Sequence, residues 1–161
     1  MKRAVNVIRG GIDANGRRLA VAAAIFNEMV VSKLVEGALA CLRQHGVAED
    51  DLIVVWAPGA FELPLLAKRL AESSRYDAVI CLGAVVRGET PHFDYVAAET
   101  ARGIQQVSLS TGVPVTFGVL TTDNVAQALD RAGGRHGNKG WDSAMAAMQM
   151  VSVLDQLPER G

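Results

Sequence analysis

The segment Asp77–Phe93 reads DAVICLGAVVRGETPHF. From Ala78 to Val86 it carries no charge, and then Arg87, Gly88, Glu89, Thr90, Pro91 and His92 follow at once. An unbroken apolar run rich in valine and isoleucine, closed by glycine and proline, predicts a strand buried on both faces. Strands of that kind belong to parallel sheets covered by helices on both sides.

Three further runs repeat the pattern. RLAVAAAI (Arg18–Ile25) leads to Leu34, Val35, Ala38, Leu39 and Leu42 at helical spacing, and LIVVWAPG (Leu52–Gly59) leads to Leu65, Leu66 and Leu70. After the opening segment come Phe93, Val96, Ala97, Ile104 and Val107, and VPVTFGVLTT (Val113–Thr122) leads to Val125, Ala128, Leu129 and Ala132. A last helix carries Trp141, Met145, Met148 and Val151. Strands alternating with helices predict an α/β fold, a three-layer α/β/α sandwich on a four-stranded parallel sheet. No linker or repeat divides the chain, so residues 1–161 read as a single domain. Within it, 1–17 form an N-terminal segment that can add an edge strand, and 158–161 fray.

Composition narrows the function. The chain has 161 residues, half of them apolar and 20% charged, with a mean hydropathy of +0.19. That is apolar for a small soluble monomer and predicts subunit interfaces. A net charge of -1 gives no basic footprint for nucleic acid. No run approaches the roughly 18 apolar residues that cross a membrane. GRRLAVAAAIF (Gly16–Phe26) imitates a signal peptide, with two arginines before an apolar stretch, but it lies inside the chain and reads as a buried strand. Cys41 and Cys81 sit apart in apolar contexts and read as reduced core thiols of a cytoplasmic protein. His45, His92 and His136 show no zinc spacing with them, so no metal is expected.

In open parallel sheets, ligands bind beyond the carboxyl ends of the strands. Those ends are IFNE, APGAFE, VVRGETPH and GVLTTDN. In GETPH, Thr90 reads as an N-cap and Pro91 as the first helical residue, which puts His92 in the first turn. Free N–H groups near Glu89 and Thr90 can hold a phosphate there, with His92 moving a proton beside it. The same residues also read as an ordinary capped helix with a surface histidine. In APGAFELP, Gly59 permits close approach of a ligand, and Glu62 can accept from hydroxyl groups or simply favour the helix dipole. Phe26 and Phe117 are aromatics whose default is core packing. In DRAGGRHGNKG (Asp130–Gly140), Gly133 or Gly134 can cap the preceding helix. Arg131, Arg135 and Lys139 there can pair with a phosphate or stand as solvated loop cations. There is no G-x-x-x-x-G-K-[ST], no G-x-G-x-x-G after the first strand and no G-x-S-x-G.

Taken together, FN after the first strand, PGAFELP, LGAVVRGETPHFDYV, TGVPVTFGVLTT and QALDRAG…GNKG resemble the lumazine synthase family, from about Leu19 to Leu154 and in the same order. The block Gly83–Val96 is the most specific part. The resemblance implies a flavodoxin-like architecture and an enzyme of riboflavin biosynthesis that needs no cofactor and no metal. Its reaction joins 5-amino-6-(D-ribitylamino)uracil to 3,4-dihydroxy-2-butanone 4-phosphate, giving 6,7-dimethyl-8-ribityllumazine, phosphate and water. By the same resemblance, Phe26 would stack on the pyrimidine, and Gly59, Ala60 and Glu62 would line the ribityl chain. Val85 and Val86 would offer backbone groups to the uracil, and the N–H groups of Glu89 and Thr90, with Arg131, would bind phosphate. His92 would transfer protons. Phe117, Arg131 and Lys139 would reach the site from a neighbouring subunit of a pentamer, and the compact loop GGRHGNKG resembles members that close into a sixty-subunit icosahedral shell. Riboflavin synthase is the further partner implied.

The chain departs from the family pattern at Ile25, where many members have arginine, and Glu89 puts a carboxylate beside the phosphate position and is expected to point away. His136 and Trp141 acquire no role. Two competing readings remain at this stage: a non-catalytic relative that binds a lumazine or flavin or forms a shell, and a flavodoxin-like electron carrier.

Overall fold

A computed structural model describes residues 1–159. Its strands β1 (Leu19–Ala24), β2 (Leu52–Ala57), β3 (Ala78–Val86) and β4 (Val115–Thr122) pair in parallel, in the order β2-β1-β3-β4. Helices α1 (Glu28–Gln44), α2 (Leu63–Glu72) and α3 (His92–Thr111) follow the first three strands. Then come α4 (Val125–Asp130), a short antiparallel hairpin β5 (Ala132–Gly134) and β6 (Gly137–Asn138), and α5 (Lys139–Gln156).

The alternation of side chains along each strand divides the core into two layers. Leu19, Val21 and Ala23 of β1, with Ile80, Leu82 and Ala84 of β3, pack under α1 and α5. Ala20, Ala22 and Ala24, with Val79, Cys81 and Val85, pack under α2 and α3. All of β1 is buried, which is why its sequence is apolar at every position. The expected α/β/α sandwich on a four-stranded parallel sheet is the observed one.

Local departures have local reasons. Residues 1–13 add no edge strand; the stretch 9–11 lies along α5, where Gly11 N–H donates to Ser152 Oγ at 2.8 Å and Gln156 Nε2 donates to Arg9 O at 2.9 Å. Helix α2 turns Leu63, Ala67 and Ala71 inward, leaving Leu65 exposed on the other face. Helix α4 stops at Asp130, so Ala132 belongs to the hairpin and Arg131, not a glycine, is its C-cap. The left-handed Gly133 (φ 98°) serves the hairpin instead. Of the expected frayed tail, 158–159 carry no helix, and Arg160 and Gly161 lie outside the described residues.

Helices α1 and α5 meet closely. Asn138 Oδ1 accepts from Gly140 N–H at 2.8 Å and Trp141 N–H at 3.1 Å, capping α5, while its Nδ2 donates to Lys33 O of α1 at 3.0 Å. Gly37 leaves the space that this asparagine fills. Trp141, without a role in the sequence, packs against the α1/α5 core layer with its ring edge-on to His45.

Both cysteines are free and buried, as expected. Burial pushes the Cys81 thiol up to about 12 and, with Asp142 adding to burial, the Cys41 thiol up to about 11, from an ordinary 9.0. The unfolded thiols therefore release protons that the folded chain retains. This contribution to stability is complete below pH 9 and declines as pH rises toward 11 and 12. Melting temperatures measured from pH 8 to pH 11 should fall at the alkaline end, and Cys81→Ala should lessen that fall; an equal fall in the variant would remove Cys81 as a cause.

Candidate active site

Three strand exits converge at one end of the sheet. Beyond β1, Ile25 N–H donates to Ala57 O at 2.8 Å and Phe26 N–H to Pro58 O at 3.0 Å, carrying the parallel pairing past both strands. Asn27 then takes a left-handed conformation (φ 62°, ψ 39°), a region asparagine tolerates, and its Nδ2 donates to Ala84 O of β3 at 2.8 Å. This turn starts α1 and leaves Phe26 72% exposed, so core packing is not its role. Beyond β2, a turn of 3₁₀ helix, Ala60–Glu62, leads into α2. A Cβ on Gly59 would lie 3.5 Å from Glu62 Oε1 and 4.0 Å from Phe26 Cβ. Glycine thus keeps the space between the aromatic ring and the carboxylate open.

Beyond β3, Val85 and Val86 lead to Arg87, a loop at 88–91, and the start of α3 at His92. The helix begins one residue later than the sequence suggested: Pro91 occupies the capping position, and no side chain caps the helix. Thr90 therefore keeps its hydroxyl for other partners. Among the described residues, the N–H groups of Gly88, Glu89 and Thr90 donate to nothing. Free donors beside a helix N-terminus suit an anion.

These exits enclose an open cleft of about 710 Å³. Phe26, Gly59, Ala60, Glu62, Val85, Val86, Thr90 and His92 all line it, as do Phe61, Phe93 and Tyr95, which are not among the residues expected from the sequence. The signal for Phe61 and Tyr95 is in the sequence: Phe61 directly precedes Glu62, and Tyr95 follows His92 by three residues, about one helical turn. Glu89 is exposed and does not line the cleft. Mostly apolar walls with one carboxylate, one imidazole and one phenol can hold a flat ring, bind hydroxyls and move protons.

Phe117, Arg131 and Lys139 do not line this cleft. Phe117 lies on the edge strand β4, opposite Cys81, and is partly exposed. Arg131 and Lys139, both exposed, stand at the two ends of the β5–β6 hairpin, where Lys139 N–H donates to Arg131 O at 2.8 Å. The hairpin thus brings together two cations that are eight positions apart in the chain. His136, also in this hairpin, is exposed and offers its backbone N–H to Asp130 O at 2.7 Å.

Arg87, to which the sequence assigns no role, is tied to several neighbours beside the cleft. Its Nε donates to Asp123 Oδ1 at 3.0 Å and its Nη1 to Asp94 Oδ1 at 3.4 Å, and the guanidinium lies 4.4 Å from the Phe93 ring centroid. Among the described residues, no group of three or more His, Cys, Asp or Glu side chains could hold a metal ion, and no helix is long and apolar enough to cross a membrane.

A parallel sheet that opens an apolar cleft past its strand ends, with an imidazole and a carboxylate inside, is the design of an α/β enzyme acting on small molecules. Comparison with known proteins makes the class particular. A family model described as 6,7-dimethyl-8-ribityllumazine synthase matches residues 16–155. Two curated proteins called 6,7-dimethyl-8-ribityllumazine synthase, from Clostridium kluyveri strains ATCC 8527 and NBRC 12016, are each 52% identical over 153 residues, spanning 95% of this chain and 99% of theirs. The chain belongs to the 6,7-dimethyl-8-ribityllumazine synthase family, the one its motifs resemble.

Proposed function

We propose that the chain condenses 5-amino-6-(D-ribitylamino)uracil with 3,4-dihydroxy-2-butanone 4-phosphate to 6,7-dimethyl-8-ribityllumazine and phosphate, the penultimate step of riboflavin biosynthesis. The observation that carries this reading is the meeting of Phe26, Glu62 and His92 in one cleft beside free backbone N–H groups. Phe26 stacks on the pyrimidine. Gly59, Ala60 and Glu62 hold the ribityl chain, with Glu62 accepting from its hydroxyls, and Val85 and Val86 present backbone groups to the uracil. The N–H groups of Glu89 and Thr90 take the phosphate.

The substrate's own amine attacks the ketone, so the protein needs no nucleophile. Carbinolamine dehydration, loss of phosphate and ring closure then require proton transfers, which His92 supplies from the edge of the phosphate site. Holding both substrates in one cleft contributes the orientation. No cofactor enters this scheme. Turnover tests it: lumazine absorbance should rise much faster with protein than in the spontaneous condensation. A rate equal to the spontaneous one would leave the non-catalytic binding or shell-forming relative in its place.

The reading extends to assembly. We take residues 1–161 as one domain of a cytoplasmic homo-oligomer, in which Phe117, Arg131 and Lys139 of one subunit complete the cleft of the next. Arg131 and Lys139 then meet the phosphate that the neighbour's Glu89 and Thr90 hold. Pentamers closing into a sixty-subunit shell, with riboflavin synthase as a partner, form the most specific version. What supports a shared site is the separation, within one chain, of the cleft from the exposed cations. Refolding His92→Ala together with Arg131→Ala should give mixed assemblies more active than either variant alone, because some interfaces then carry both intact halves. Activity no greater than that of the separate variants would place all these residues in one subunit's own site.

A further inference from the structure

We infer that Arg87 is a positioning residue for the reaction, holding the 88–90 loop and His92 in register with the phosphate; the inference rests on the function proposed above. The loop spans a short gap between the end of β3 and the start of α3. Arg87 stands at one side of the gap and ties itself to the other. Its backbone N–H donates to Thr122 O at 2.8 Å, which fixes its own position against β4. Its side chain then reaches across the loop, pairing with Asp94 and lying over the Phe93 ring, both in the first turn of α3. A third tie, to Asp123 at the exit of β4, sets the plane of the guanidinium. The free N–H groups and His92 lie on the stretch of chain that these contacts bracket.

The same contacts exclude a direct role as the phosphate ligand for the two nitrogens already committed to Asp94 and Asp123. They also explain why the position suits arginine. A planar fork can serve two carboxylates while its face covers an aromatic ring, and a lysine ammonium cannot do all three. Arg87 is about half exposed and its carboxylate partners more so, so these ion pairs add little to folding stability. Geometry is where they act: a displacement of about 1 Å at a reacting group can cost on the order of a hundredfold in rate.

That contrast gives the test. Steady-state kinetics of wild type, Arg87→Ala, Arg87→Lys and Asp123→Asn would be measured against both substrates, alongside melting temperatures. For Arg87→Ala, kcat/KM for the butanone phosphate should fall roughly 10- to 100-fold. KM for the ribitylaminouracil should stay near the wild-type value, and the melting temperature should move by less than about 4 °C. Arg87→Lys should recover only part of the loss, and Asp123→Asn should lie between it and wild type. Equal losses toward both substrates in step with a falling melting temperature, or no loss at all, would overturn the inference. Line broadening of inorganic phosphate in ³¹P NMR supplies a readout that does not depend on turnover. Broadening by wild type that weakens in Arg87→Ala supports positioning, even if wild type were to show no condensation and the proposed function failed. Broadening unchanged in the variant, or absent with wild type, would reject it.

Discussion

His92→Ala should lower kcat by about two orders of magnitude, within the range of roughly 10²- to 10⁴-fold that a positioned acid–base group contributes. The imidazole is exposed at the start of α3 and, among the described residues, is the only histidine side chain that lines the cleft. KM for either substrate should change little, because Phe26, Glu62 and the loop N–H groups all remain in place. The variant should keep its melting temperature, since the side chain is exposed and alanine is a good helix former. Some catalysis above the spontaneous rate should survive, because the cleft still brings amine and ketone together. Lumazine absorbance under saturating substrates measures this directly. A kcat within twofold of wild type would show that solvent or another cleft group, Glu62 or Tyr95, carries the protons.

The second large effect is structural. Gly140→Ala should destabilise the fold by about 3 kcal/mol or more, at or beyond the upper end for overpacked cores. A Cβ there would be driven into the Leu34 carbonyl, with the carbonyl carbon only 2.7 Å away. That neighbour is backbone in the middle of α1 and cannot rotate aside. Moving it would also break the Asn138 bonds that cap α5 and bind it to α1. Gly112→Ala is the comparison: it meets nothing within 4 Å but sits at φ 72°. It should cost only about 1–2 kcal/mol of left-handed strain. Thermal melts of the two variants would separate the effects, and equal losses would mean that α1 and α5 slide apart freely.

The sheet was legible because burial on both faces forces every residue of β1 and nearly all of β3 to be apolar, a pattern that survives without any partner in view. The cleft was legible because ligand-binding residues collect at strand exits, and Phe26, Glu62 and His92 stand at three of them. Finer features depended on contacts the sequence does not display. The inward face of α2 uses Leu63, Ala67 and Ala71, and the alanines carry too little hydrophobic contrast to reveal which leucines face out. The hairpin β5–β6 holds glycines in place of the branched residues that usually mark strands. The start of α3 moved by one residue because no side chain fixes it, and helix ends shift easily under those conditions. Arg87 was visible as a charge, but its partner Asp123 lies on the next strand's exit, where no spacing rule connects them.

The strand order also governs how the chain can be made. β1 is central, with Leu19 paired to Leu52 on one side and to Ala78 on the other. During synthesis its wholly apolar sequence emerges before either neighbour, and once β2 has paired on one side its other edge stays open until β3 has left the ribosome. Phe26 and Glu62 can come together once β2 is in place, but His92 arrives only after β3. A chain interrupted between Glu72 and Ala78 would therefore carry Phe26 and Glu62 without His92, over an open sheet edge prone to aggregate.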